Sequence, residues 1–168
     1  MLEPRVSRPY WPDALSKPPA DTSSLKPWSW AVERLEQSHN YWIATSRPDR
    51  GPHLMIVWGI WWRDAFWFST GPRTRKAKNI AVVPRVVIGT EKADEAVILE
   101  GVAKEITDRS VWKQLAKIYN SKYGGDVEPL LMAADGCVFR VQPQVVFAQD
   151  EHAENFADAV TRWRFGGN

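Results

Sequence analysis

Between Tyr41 and Thr70 the chain strings together three runs of strand-forming residues, each bounded by turn formers. Tyr41 to Ser46 leads into Arg47-Pro48-Asp49-Arg50-Gly51-Pro52, whose Pro, Asp and Gly predict a hairpin turn. His53 to Trp62 follows, with Leu54, Ile56, Trp58, Ile60 and Trp62 on one face and His53, Met55, Val57, Gly59 and Trp61 on the other, so both faces of a strand there are largely covered. Arg63-Asp64 then turns the chain into Ala65 to Thr70. Connections this short force antiparallel pairing, because a parallel neighbour needs a crossover of about a dozen residues or more. The stretch is therefore a three-stranded meander.

The pattern continues downstream. Gly71-Pro72 stops the third strand, and Thr74 to Val82 reads as a short helix ended by Pro84. Arg85 to Glu91 and Glu95 to Ile106 are β-branched strands around Lys92-Ala93-Asp94. A helix starting at Thr107 or Asp108 carries Val111, Trp112, Leu115, Ile118, Tyr119 and Tyr123 on one stripe and ends at Gly124-Gly125. Cys137 to Val141 and Val145 to Ala148 read as strands separated by Pro143, and Glu154 to Phe165 as helical in part. Upstream, Ser29 is placed to cap a helix reaching Ser38. Residues 1–27 hold six of the twelve prolines and no apolar period, which predicts an extended arm before a single domain over 28–168. Six or seven antiparallel strands with helices only at connections make the expected fold mainly β, a closed or nearly closed small barrel.

Composition excludes several function classes. With 44% hydrophobic and 25% charged residues the chain is of globular type, and a net charge of +2 gives no reason to expect a nucleic-acid partner. One cysteine, Cys137, excludes a disulfide framework and a multi-cysteine metal site; in its apolar strand it reads as an inert core thiol. His39, His53 and His152 lack metal-ligand spacing, so no metal is expected. The longest apolar run, Leu54 to Trp62, is well short of the roughly 20 residues of a membrane span, and no apolar leader follows Met1, so the expectation is a cytoplasmic protein without a membrane partner. There is no nucleophile elbow and no glycine fingerprint for nucleotides, and no catalytic side chain is assigned. Glu100, a carboxylate inside an apolar strand, either faces outward or pairs with a cation such as Arg140.

Two features carry chemistry. In Ser69-Thr70-Gly71-Pro72-Arg73-Thr74-Arg75-Lys76-Ala77-Lys78-Asn79 a strand turns into a helix whose first turn holds Arg75 and Lys76. Cations there oppose the helix macrodipole, so the arrangement makes electrostatic sense when an anion sits between them. Four cations without an acid, two hydroxyls and free backbone N–H groups predict a phosphate-type site. The second feature is tryptophan: of ten in the chain, Trp28, Trp30, Trp42, Trp58, Trp61, Trp62 and Trp67 crowd one segment. They build a core, a dimer contact or a wall for a planar ligand.

The ordered set Tyr41-Trp42-Ile43-Ala44-Thr45, Arg47-Pro48-Asp49-Arg50-Gly51-Pro52-His53, Val57-Trp58, Trp67-Phe68-Ser69-Thr70, Arg75-Lys76-Ala77-Lys78-Asn79-Ile80 and Pro84-Arg85-Val86 resembles the pyridoxamine 5′-phosphate oxidase-like family. The resemblance spans about residues 28–148, including the Glu100-Gly101 strand and the helix after it. It implies a six-stranded antiparallel Greek-key split barrel of the FMN-binding type, a homodimer with cofactors at the subunit interface. It further implies that Ser69, Thr70, Arg75 and Lys76 hold the cofactor phosphate, that Met55, Val57 and Trp58 face the isoalloxazine, and that Trp163 and Arg164 close the site. The expected activity is an oxidoreductase that uses FMN to move hydride to or from a small conjugated substrate stacked against tryptophans such as Trp58 or Trp61. The alternatives on the same fold are a reductase using the deazaflavin coenzyme F-420 and a non-catalytic flavin- or haem-binding barrel. The true oxidase ends in a longer substrate-phosphate motif absent from this chain, which points away from pyridoxamine phosphate as substrate.

Overall fold

The alternation from Tyr41 to Thr70 does fold into antiparallel ladders, with one break. The structure, a computed structural model, describes residues 3–10, 22–129, 136–153 and 160–166. Its elements are β1 (Arg5–Ser7), α1 (Trp28–Gln37), β2 (Tyr41–Ser46), β3 (Pro52–Val57), β4 (Gly59–Trp62), β5 (Ala65–Thr70), α2 (Arg75–Val82), β6 (Arg85–Thr90), β7 (Glu95–Glu105), α3 (Arg109–Tyr123), β8 (Cys137–Asp150) and β9 (Thr161–Arg164). Every described pairing is antiparallel.

Pairing runs β3-β2-β6-β7-β8-β5-β4, and β4 continues β3 through the single residue Trp58. Six barrel strands thus come full circle, with β3 and β4 as the two halves of one bent strand. The first half pairs with β2 and the second with β5. This is the mainly β split barrel expected from the sequence, and β9 and β1 extend it beside the second half of β8. Inside the barrel lie Tyr41, Ile43, Phe66, Phe68, Ile88, Leu99, Val146 and Trp163, joined by Ala31 and Leu35 of α1. A second core forms outside, where Trp112, Leu115, Ala116 and Tyr119 of α3 pack on Ile60, Ala65, Trp67 and Val138. Cys137 is buried with the first core.

Several sequence expectations are corrected. The run His53 to Trp62 is two strands, because a Cβ at Gly59 would stand 2.1 Å from Cζ of Phe66. Only glycine lets the backbone approach that ring, and the chain changes partners there. Pro143 does not divide β8; it lies opposite Gly101, where the β7 register shifts, so its missing N–H falls at a bulge. Ser29 is not the cap of α1: the helix begins at Trp28 behind Pro27, with no side-chain cap. Thr161–Arg164 is a strand whose Thr161 and Trp163 point into the core, not helix; residues 154–159 of that expectation lie outside the described ones. Part of the predicted arm is ordered as β1, with Arg5 opposite Arg164, while 11–21 lie outside the described residues. Glu100 is exposed between Val87 and Val145, and Arg140 instead stands opposite Lys104 and donates to Gln142, so the outward reading of Glu100 holds.

Candidate functional site

The basic turn is organised by Thr74. Its hydroxyl accepts from the Ala77 N–H as the α2 N-cap at 3.4 Å, donates to the Gly71 carbonyl at 2.8 Å and meets Thr70 Oγ1 at 3.1 Å. Because Thr74 spends its proton on Gly71, Thr70 is the donor of that pair. The turn therefore starts α2 immediately beyond the end of β5. Among the described residues no carboxylate pairs with Arg73, Arg75, Lys76 or Lys78. Lys76 is half-buried, and the loss of solvent lowers its ammonium pKa below the usual lysine value. An unpaired cation in that setting, beside the N–H groups that a first helical turn leaves free, favours an anion.

Burial on one side fixes α2 against the barrel. Ala77, Asn79 and Ile80 are buried, and the Asn79 amide donates from Nδ2 to Thr45 Oγ1 at 2.9 Å. Thr45 in turn stands 3.4 Å from Nδ1 of His53 on β3. The helix that presents Lys76 is thus tied through β2 to the strand that carries Met55 and Val57.

Between β3, β5, α2 and α3 lies a cavity of about 230 Å³, lined by Ile56, Val57, Trp58, Ser69, Lys76, Tyr119 and Val127. Four of the predicted site residues, Val57, Trp58, Ser69 and Lys76, meet in it. Met55 shares the barrel-side face of β3 with Val57, opposite Ile43, and is 46% exposed. Thr70 and exposed Arg75 flank the cavity in sequence without lining it. Trp163 and Arg164 are not brought to it: Trp163 is buried in the barrel 5.4 Å from Trp28, and Arg164 is exposed on β9 beside Arg5. Trp61 is also a core residue, packed 5.9 Å from Trp28, whereas Trp58 is 48% exposed. Ile56, Tyr119 and Val127 escaped the sequence reading as site residues, Tyr119 because it sits on the apolar stripe that packs α3. Its hydroxyl was the available signal, because a buried tyrosine oxygen needs a partner.

A second cavity, of about 290 Å³, opens at the β7 bulge and is lined by Ser46, Arg50, Arg85, Glu100 and Gln144 among others. Among the described residues neither arginine has a carboxylate partner. The outer face of the sheet between the two cavities is apolar: Trp42, Leu54, Ile56 and Ile98 are each exposed by 41% or more.

The fold is a split barrel in which a strand-to-helix turn brings Lys76 and Ser69 to one cavity with Val57 and Trp58 of the bent strand. Residues 31–150 match the family model described as pyridoxamine 5′-phosphate oxidase, and the chain belongs to that family. Solved structures agree on the fold. One named F420 reductase is 24% identical with a TM-score of 0.58, covering 68% of this chain and 93% of its own. A conserved hypothetical protein from Mycobacterium tuberculosis is 22% identical with a TM-score of 0.68, covering 82% and 91%. The haem storage protein HutZ from Vibrio cholerae is 20% identical with a TM-score of 0.62, covering 74% and 95%. Among curated proteins, none matches the chain. No described helix is long and apolar enough to cross a membrane.

Proposed function

We propose that this chain is an FMN-dependent oxidoreductase that works as a homodimer. The observation that carries the reading is the half-buried Lys76, without a carboxylate partner among the described residues, lining one cavity together with Ser69, Val57 and Trp58. That donor set fits a phosphate at one end and a planar ring along β3. Bound there, the isoalloxazine supplies the hydride chemistry, and the protein's residues bind and orient it. Lys76, Ser69 and the first turn of α2 hold the phosphate, with Arg75 and Thr70 beside them. Val57 and Trp58 would lie against the ring and exclude water, and Met55 shares the strand face of Val57.

At about 230 Å³ the cavity of one chain is below the usual range of roughly 300 to 1,000 Å³ for ligand sites. A second copy laid on the exposed apolar face of Trp42, Leu54, Ile56 and Ile98 would complete it, since β3 borders both. The substrate would be a small conjugated molecule sharing the Trp58 wall.

A second reading, a reductase using the deazaflavin coenzyme F-420, is supported by the structural likeness to F420 reductase and by the unpaired Arg50 and Arg85 at the larger cavity. Those arginines suit a ligand with further anionic groups. The absorption spectrum of the purified protein, followed by titration with FMN and with the deazaflavin coenzyme in parallel, tests both. FMN bound more tightly supports the first reading, and selective deazaflavin binding the second. Binding of neither, with a Soret band on adding haem, would leave the non-catalytic haem barrel.

A further inference from the structure

Three side chains of α3 converge on the point where the bent barrel strand breaks. Trp58 belongs to neither half of the strand, Gly59 opens β4 opposite Phe68, and α3 meets backbone groups of both. Tyr119 Oη lies 3.2 Å from the carbonyl of Trp58, and Tyr123 Oη 2.7 Å from that of Gly59. The Gly59 N–H donates to Tyr123 Oη at 2.8 Å, and Lys122 Nζ donates to the Gly59 carbonyl at 3.1 Å. Lys122 also donates to the hydroxyl of buried Tyr41 at 2.7 Å, which anchors the group in the barrel wall.

The rings continue the arrangement. The Trp58 indole stacks on Tyr123 with centroids 4.6 Å apart and planes 12° from parallel, and Tyr123 stacks on Tyr119 at 5.5 Å and 26°. Hydrogen bonds to a broken strand need only donors and acceptors, which serine, asparagine or water would provide. A stack of three rings does something else: it removes the rotamer freedom of a half-exposed indole that lines the same cavity as Lys76.

We infer that Tyr123, backed by Tyr119 and Lys122, is a positioning residue that holds the Trp58 indole as a preset wall of the ligand cavity, so that the site selects planar conjugated ligands. The inference rests on the proposed use of this cavity for a flavin-type ligand, and it assigns selectivity for ring shape to α3, apart from the phosphate turn on α2. Preset walls raise affinity because the ordering of the side chain is not charged against binding.

The test uses the full chain labelled with 5-fluorotryptophan, with the Trp58 resonance assigned by its loss in Trp58→Phe. Tyr123→Phe keeps the ring, and Tyr123→Leu removes it. Lumiflavin, the ring without ribityl phosphate, probes the wall, and inorganic phosphate probes the turn. Expected is one sharp Trp58 resonance in wild type and Tyr123→Phe, and a broadened or split one in Tyr123→Leu with lumiflavin weakened about tenfold, the scale of a lost aromatic stack, and phosphate binding unchanged. A sharp, unshifted Trp58 signal in Tyr123→Leu, or wild-type lumiflavin affinity there, would overturn the inference. Should Tyr123→Leu fail to fold, Trp58→Leu, altered at a half-exposed site, decides: weakened lumiflavin binding supports the wall and wild-type affinity refutes it. Failure of the wild-type chain to bind lumiflavin or FMN removes the flavin reading, while the Trp58 resonance still reports whether Tyr123 positions the indole.

Discussion

The side-chain amide of Asn79, fully buried in α2, donates to Thr45 Oγ1 of β2 across 2.9 Å. This bond links the helix carrying the basic turn to the barrel wall, and it sets where Lys76 stands relative to β3. Asn79→Ala leaves the Thr45 hydroxyl without that donor and opens space at a fully buried position. The expected loss is about 1 to 3 kcal/mol, the cost of stranding a buried polar group. Thermal unfolding should show a lower Tm, and FMN affinity should fall with it although Asn79 does not line the cavity. Asn79→Asp should be worse, because it buries a carboxylate against a hydroxyl.

Gly59→Ala should destabilise strongly. The new methyl would meet Cζ and Cε2 of Phe66 at 2.1 and 2.6 Å in the barrel core, where neither group has room to move. Overpacking of this kind costs about 1 to 3 kcal/mol or more. Gly124→Ala is the comparison, since nothing lies within 4 Å of a Cβ there and only the left-handed φ of 68° is strained. That strain is on the order of 1 kcal/mol. Denaturant midpoints for the two variants should therefore differ in that order, and a neutral Gly59→Ala would show that the break is not held by this contact.

Burial lowers the Lys122 pKa to about 8. Between about 8 and the usual lysine value the unfolded chain binds the extra proton, so stability should rise with pH across that window. Below about 8 the full burial penalty is present. Desolvation holds Tyr119 and Tyr123 protonated above the ordinary tyrosine value, so their effect opposes the trend once the unfolded tyrosines ionise, above about pH 10. Comparing the Tm of wild type and Lys122→Met from pH 7 to 10 isolates the lysine. The wild-type slope should be the more positive, and parallel slopes would count against a depressed Lys122.

Leu54→Glu places a charge on the exposed apolar sheet face, opposite Ala44 and outside the lining of the cavity. Sedimentation should find the wild-type chain dimeric and this variant monomeric, with weaker FMN binding because the site loses its second half. A monomeric wild type that binds FMN fully would contradict the shared site.

Alternation and turn chemistry announced most of the barrel. They worked because β2, β6 and β7 each bury one face, so the period of two survives in the sequence. They failed at Trp58 and at Pro143 for one reason: both are places where the chain changes or shifts its partner, which the order of apolar residues does not record. At the candidate site, the charge conflict at Arg75 and Lys76 pointed to the turn that brings Lys76 to the cavity, and Val57 and Trp58 came with it through the resemblance. Tyr119, Tyr123 and Lys122 were hidden because packing and site-building use the same helical stripe. Trp163, read near the cofactor, instead fills the barrel, where a bulky ring at an inward strand position is accounted for by packing alone.

Lys76 and its turn are proposed to bind the phosphate of a ligand whose ring would lie along β3. Titration of the wild-type chain and Lys76→Ala with FMN and with riboflavin, which lacks the phosphate, tests it most directly. Wild type should prefer FMN by at least about tenfold, as a charge-assisted phosphate contact implies, and Lys76→Ala should erase the preference while leaving riboflavin affinity intact. Equal affinity of wild type for the two ligands, or an undiminished preference in Lys76→Ala, would contradict it.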